Sequence, residues 1–242
     1  EIGSAIVRVH TGDLAQKTMP MPTDNRLPLN RIERENRPDG SILLHNRAPL
    51  PDPLPDILDQ FDHWTALDSN ATFISERAND GIRTTSYGEI DGRSDALAHD
   101  LAARGLAKGD AVAIIDGAGV LHAALKLACL KAGLVHVPLS PLLLASEHGR
   151  SRLAGLLTAA EPCLTVVPAQ TLPEELVALC GTVTTPGELS EVAAAQTPFE
   201  RPAADPSDPA AIYFTSGSTG DPKGVSITRR MIASCQSAYG VH

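Results

Sequence analysis

The sequence predicts an α/β fold in which mostly parallel sheets are flanked by helices. Three observations carry this. The short apolar runs Ala111-Val112-Ala113-Ile114-Ile115 and Cys163-Leu164-Thr165-Val166-Val167 read as strands buried on both faces. Segments of helical period lie between such runs, two of them closed by Gly133 and Gly181, so strand and helix alternate. Of the 242 residues, 43% are hydrophobic and only 3% aromatic, so the core is built from Ala, Leu, Val and Ile, which suits helices packed closely on a sheet.

Each element follows from local chemistry. Residues 1–40 form an N-terminal extension containing Met19-Pro20-Met21-Pro22 and the charged run from Arg31 to Arg37. Residues 41–194 form a first α/β subdomain. Pro49, Pro51, Pro53 and Pro55 keep its opening stretch extended. A helix follows with Ile57, Leu58, Phe61 and Trp64 at helical spacing, and Trp64 is expected in the core. Residues 71–75 alternate as a strand and pair with residues 83–85 across the turn Asn79-Asp80-Gly81. Ser86-Tyr87-Gly88-Glu89 is a capping box that starts a helix, with Ile90, Leu97 and Leu101 on its buried face and Gly105 at its end. The strand 111–115, a helix over 120–132 stopped by Gly133, and a strand over 134–137 make one right-handed β-α-β unit. A helix over 150–160 leads to the strand 163–167, and a helix over 173–180 adds a further layer. Residues 195–209, rich in Pro, Ala and Asp, read as a linker; residues 210–242 begin a second subdomain.

Composition excludes several functions. A formal charge of −9 and a pI near 5.3 argue against a nucleic-acid partner, since phosphate backbones are held by basic surface. No run approaches the ~20 apolar residues of a membrane span, and no secretory leader is recognisable, so the expected location is cytoplasmic. Cys129, Cys163, Cys180 and Cys235 lack metal or redox spacing, sit in apolar or helical contexts and read as buried, reduced thiols; no metal-ligating cluster is expected. The chain starts at Glu1 without Met and stops at His242 soon after a helical pattern begins, which reads as a piece of a longer protein, unable alone to complete a reaction.

The chemistry is concentrated in Tyr213-Phe214-Thr215-Ser216-Gly217-Ser218-Thr219-Gly220-Asp221-Pro222-Lys223-Gly224-Val225. A polyphosphate needs closely spaced N–H and hydroxyl donors, little side-chain bulk and a compact cation. Thr215, Ser216, Ser218 and Thr219 supply hydroxyls, Gly217 and Gly220 allow close approach of the backbone, and Lys223 supplies the charge. Apolar runs on either side make this a loop between two strands. The Walker pattern fails, because Pro222 stands at its second Gly and Gly224 at its metal-binding hydroxyl. Gly117-Ala118-Gly119 follows a strand and opens a helix, but His122 occupies the third Gly of a dinucleotide fingerprint, so no such site is expected. His122 and His136 read as packed or surface histidines. Gly217-Ser218-Thr219-Gly220 comes near a Gly-x-Ser-x-Gly hydrolase elbow but does not complete it, since Ser216 stands at its first Gly.

At these residues the chain resembles the acyl-adenylate-forming enzymes, which include acyl-CoA synthetases, luciferases and the adenylation domains of peptide synthetases. Their signature, Tyr-Thr-Ser-Gly-Thr/Ser-Thr-Gly-x-Pro-Lys-Gly-Val, is matched from Tyr213 to Val225 with Phe214 inserted before Thr215. The resemblance implies that Thr215, Ser216, Gly217, Ser218, Thr219, Gly220 and Lys223 hold the phosphates of ATP with Mg²⁺. It also implies that Lys223 is the catalytic cation beside the departing pyrophosphate. Arg37 to Leu44, Trp64 and Val137-Pro138-Leu139-Ser140-Pro141 are similar to feruloyl-CoA synthases. That similarity implies an aromatic carboxylic acid such as ferulate, with CoA as acyl acceptor. Another acyl-CoA synthetase, a peptide-synthetase adenylation domain and a non-catalytic nucleotide-binding module are the alternatives. Thr228-Arg229-Arg230 departs from the family's frequent Thr-His-Arg, so no role of that His carries over.

Overall fold

The structure is a computed structural model and describes residues 32–46, 55–78, 81–168, 172–189, 197–215 and 223–239. β1 (Ile32–Asn36) and β2 (Ile42–Asn46) form an antiparallel hairpin. Its turn is closed by Asp39, which accepts hydrogen bonds from the Ser41 amide at 2.9 Å and hydroxyl at 2.6 Å. The hairpin crosses position 40, where composition alone places the end of the extension; β1 is mostly charged and β2 exposes Ile42 and Leu44, so no buried alternation marks it.

α1 (Ile57–Leu67) begins at Asp56, whose carboxylate accepts the Leu58 amide. Leu58 and Phe61 are buried, whereas Trp64 is only half-buried and stands edge-on to His63. The expectation of a core Trp64 is corrected: each step of three residues turns the helix by ~300°, which carries the series 58, 61, 64 off the buried stripe. β3 (Thr72–Ala78) and β4 (Gly81–Ser86) pair antiparallel as predicted, while residues 79 and 80 of the expected turn lie outside the described residues. Phe73 packs edge-on to Phe61 and Tyr87, which seats this hairpin on α1.

α2 (Tyr87–Ala103) starts with the predicted capping box, Ser86 Oγ accepting the Glu89 amide and Glu89 accepting the Ser86 amide. Ile90, Leu97 and Leu101 are fully buried. β5 (Ala111–Ile115), α3 (Val120–Ala132) and β6 (Val135–Leu139) form the β-α-β unit, with Gly133 closing α3 at φ 71°. α4 (Glu147–Ala160) starts three residues before the predicted helix, because the Ser146 hydroxyl caps the Gly149 amide. β7 (Leu164–Val166) continues the sheet. The expectation of four buried thiols is corrected: Cys129 and Cys180 are buried, whereas Cys163, just before β7, and Cys235 of the last helix are exposed.

The helix predicted over 173–180 is one short turn, α5 (Glu174–Val177). Gly181, at φ 61°, reverses the chain against the carbonyls of Pro162 and Cys163 and launches β8 (Thr182–Thr184), a strand too short and too polar to be read from periodicity. β9 (Pro209–Thr215), β10 (Lys223–Thr228) and α6 (Arg229–Tyr239) complete the described chain.

One six-stranded sheet results, in the order β10-β9-β6-β5-β7-β8, parallel except for the β10–β9 pair. α1, α2 and α3 cover one face in a cluster with Val112 and Ile114. Leu153, Leu156 and Leu157 of α4 cover the other with Ala113, Ile115, Val135 and Val137. Lys131, 1% exposed, pins α3 to α2 through Asp91 at 2.7 Å and Asp95 at 2.5 Å. Residues 197–208, within the segment read as a linker, lie along α1 and α2. Arg201 makes a two-point ion pair with Asp62, and Lys108 bonds Asp208 and the carbonyl of Ala203. Among the described residues no helix is long and apolar enough to cross a membrane.

Candidate active site

Strand alternation organises the β9–β10 hairpin. Ile212 and Phe214 turn inward to the α4 cluster, so Tyr213 and Thr215 take the opposite face. Across the hairpin Lys223 pairs with Thr215 and Val225 with Tyr213. Residues directly opposite in an antiparallel pair point to the same face, so the Lys223 and Thr215 side chains stand together on one side. Both are exposed. Burial pushes the Tyr213 phenol above its usual range. Gly224 falls on the inward side, where a Cβ would come within 3.1 Å of both Ile212 and Phe214. The small residue that breaks the Walker pattern thus leaves room for Ile212 and the inserted Phe214, against which a Cβ would be tight. Sequence reading missed both roles, although the alternation of β9 carried the signal.

β9 runs parallel to β6, with Ala211 beside His136, so Thr215 lies at the carboxyl edge of the sheet. Ligands of open α/β sheets bind outside that edge. The predicted site thus has two described members, Thr215 and Lys223, which the hairpin brings together. Ser216, Gly217, Ser218, Thr219 and Gly220 lie outside the described residues.

At the rival site, Gly117-Ala118-Gly119, the helix N-terminus is already capped by the chain itself. Glu76 accepts the Val120 amide at 2.8 Å, and a Cβ on residue 119 would lie 2.6 Å from the same carboxylate oxygen. A cleft of about 670 Å³ at the base of the hairpin is lined by Lys108, Arg201 and Arg229, each already paired with a carboxylate. Arg230 lines it as well, but Asp56, Asp59, Asp205 and Asp208 in the same lining oppose a phosphate.

His122 and His136 meet beneath the sheet, their Nε2 atoms 3.1 Å apart and both Nδ1 atoms buried without a partner in the structure. Burial, then the neighbouring His122 and Lys126, holds His136 down to about 3, so it is neutral at pH 7. Burial also lowers His122. Both are packed histidines, as expected.

The profile of the AMP-binding enzyme family matches residues 61–242. The chain belongs to the AMP-binding enzyme family. This AMP-binding enzyme is 31% identical over 217 residues to the isonitrile lipopeptide synthase of Streptomyces coeruleorubidus, covering 88% of the chain and 14% of that protein. It is 30% identical to the nonribosomal peptide synthetase CymA of Salinispora arenicola over 84% of the chain and 3% of that protein. Among solved structures, the N-terminal subdomain of NpsA from Klebsiella oxytoca, in complex with 3-hydroxybenzoyl-AMSN, matches with 26% identity and a TM-score of 0.57. That match covers 73% of this chain and 41% of the other. The α/β architecture with a mostly parallel sheet is therefore that of the N-terminal adenylate-forming fold. The two relatives are peptide synthetases, so the resemblance to feruloyl-CoA synthases finds no support in them.

Proposed function

We propose that the full-length AMP-binding enzyme joins a carboxylic acid to AMP and then passes the acyl group to a thiol. The observation that carries this is the pairing of Thr215 with Lys223 on one face of the hairpin at the carboxyl edge of the sheet. A carboxylate oxygen of the acid attacks the α-phosphorus of ATP, the bond to the bridging oxygen breaks, and pyrophosphate leaves with the electron pair. Lys223 offsets the charge of that leaving group, which is worth most where water is excluded. Thr215 and the hydroxyls and amides of residues 216–220 orient the phosphates. Mg²⁺ accompanies the nucleotide and neutralises its oxygens. In the second step a thiolate attacks the acyl carbonyl and AMP departs.

The acid is aromatic in this reading, supported by the 3-hydroxybenzoyl ligand of NpsA, and the thiol belongs to a carrier protein, supported by the peptide-synthetase relatives. A hydroxycinnamate such as ferulate transferred to CoA is the second reading, favoured by the similarity of Val137 to Pro141. A cytoplasmic location belongs to the same proposal, as does a division into extension, first subdomain, linker and second subdomain at 40, 194 and 209, the first of which the β1–β2 hairpin spans.

ATP–pyrophosphate exchange by the full-length product tests it, with 3-hydroxybenzoate, ferulate, amino acids and fatty acids supplied in turn. Exchange with an aromatic acid is expected, and Lys223→Ala lowers it by about 10²-fold, the usual cost of one transition-state donor. Exchange with no acid at all would sink the ligase reading and leave a non-catalytic nucleotide-binding module. Exchange with fatty acids alone would sink the aromatic one.

A further inference from the structure

Resting on the adenylation reading above, the geometry points to Arg229 as a positioning residue: with Asp56 it clamps the base of the β9–β10 hairpin and so aims Lys223, at the far end of β10, toward the nucleotide phosphates. Arg229 is 6% exposed. Its Nε and Nη2 groups donate to Oδ2 and Oδ1 of Asp56, both at 2.7 Å, and Nη1 donates to the carbonyl of Leu130 at 3.1 Å. This two-point fork fixes orientation as well as distance, which a Lys cannot do. Asp56 is itself fixed, because the same carboxylate caps α1 through the Leu58 amide at 2.9 Å.

The main chain adds two ties at the same place. The Arg229 amide donates to Asp208 at 3.0 Å and the Arg230 amide to Pro206 at 2.8 Å. One short segment therefore joins the end of β10 to α1, to the last turn of α3 and to the strap that leads into β9. The strand register slips between Ile227 and Thr228, immediately before the clamp.

Leverage makes the clamp matter for chemistry. Among the described residues β10 has β9 as its only strand partner, and β9 meets β6 at the Ala211–His136 pair. From Arg229 to Lys223 the strand rises ~3.3 Å per residue, an arm of ~20 Å. A tilt of only ~3° at its base moves the tip by ~1 Å, a misplacement that costs on the order of 10²-fold in rate.

A double-mutant cycle on the full-length protein tests the inference, with MgATP affinity measured by calorimetry and KM for the acid by pyrophosphate exchange. Arg229→Lys is expected to weaken MgATP about tenfold while the KM for the acid stays unchanged. In the Lys223→Ala background the same substitution is expected to add nothing, because the aim of an absent side chain cannot be lost. Asp56→Asn keeps the oxygen that caps α1 and removes the charge, so it should reproduce the effect. It takes the place of Arg229→Lys if that variant does not fold by circular dichroism. Unchanged MgATP affinity in the folded variants, or effects that multiply with Lys223→Ala, would overturn the clamp. Lys223→Ala binding MgATP as tightly as the wild type would instead overturn the assignment of the loop.

Discussion

Glu76 reaches from β3 to the first turn of α3 and does there what a phosphate does in a dinucleotide site, accepting an amide at the positive end of the helix dipole. Gly119 leaves the room for it. Gly119→Ala should displace the carboxylate and lower stability by about 1 kcal/mol, the usual worth of a helix cap. Glu76→Ala should cost a similar amount, and the two changes together little more than either, read from denaturant midpoints; fully additive losses would argue against a shared cap. Glu76 itself was invisible in the sequence, because a cap supplied from 44 residues away leaves no local pattern. Arg229 was hidden for the same reason. Its departure from the family pattern was legible, but its partner Asp56 lies 173 residues away.

The elements most legible in the sequence are those whose ends are fixed by neighbours. The capping box of α2, the glycine stop of α3 and the fully apolar strand β5 all appear where predicted. α5 and β8 were not legible, because a single helical turn and a three-residue polar strand have too few positions to display a period. The hairpin that carries the candidate site was legible as two strands and a loop, whereas its register was not. That register decides that Thr215 and Lys223 share a face. Ser86→Ala removes one half of the α2 box and should lower stability by about 1 kcal/mol without altering the spectrum of the folded state. Thermal unfolding followed by circular dichroism checks this, and an unchanged midpoint would mean that the box contributes nothing to the folded enzyme.

At the scale of the whole molecule, the alternation of strand and helix foretold a parallel sheet, while the strand order came only from the structure. The order places β6 next to both β5 and β9 and so buries His136 in the middle of the sheet. An unfolded chain protonates that histidine near 6.5, but the folded one resists until about 3. Below pH 6.5 the unfolded state therefore binds the extra proton, and stability falls as pH drops through this window by up to ~1.4 kcal/mol per unit for each such group. Asp116, which raises His122, and Lys126, which lowers both, face the same pair and leave the sign unchanged. Unfolding midpoints between pH 7 and 4 should fall less steeply for the His122→Leu/His136→Leu double variant than for the wild type. Equal slopes would assign the acid sensitivity to other groups.

The strand order also sets a sequence of assembly. Among the described residues β10 finds its strand partner in β9, and β9 finds its parallel neighbour in β6, whose pairing residue lies 75 positions earlier (211 minus 136). Contacts that close long loops are slow to form, and this one has no template until β5 and β6 are side by side. The hairpin that carries Thr215 and Lys223 is thus expected to be the last part of the sheet to be laid down. On the adenylation reading proposed above, a ribosome-bound chain is expected to acquire its folded scaffold before it acquires the hairpin that would meet ATP.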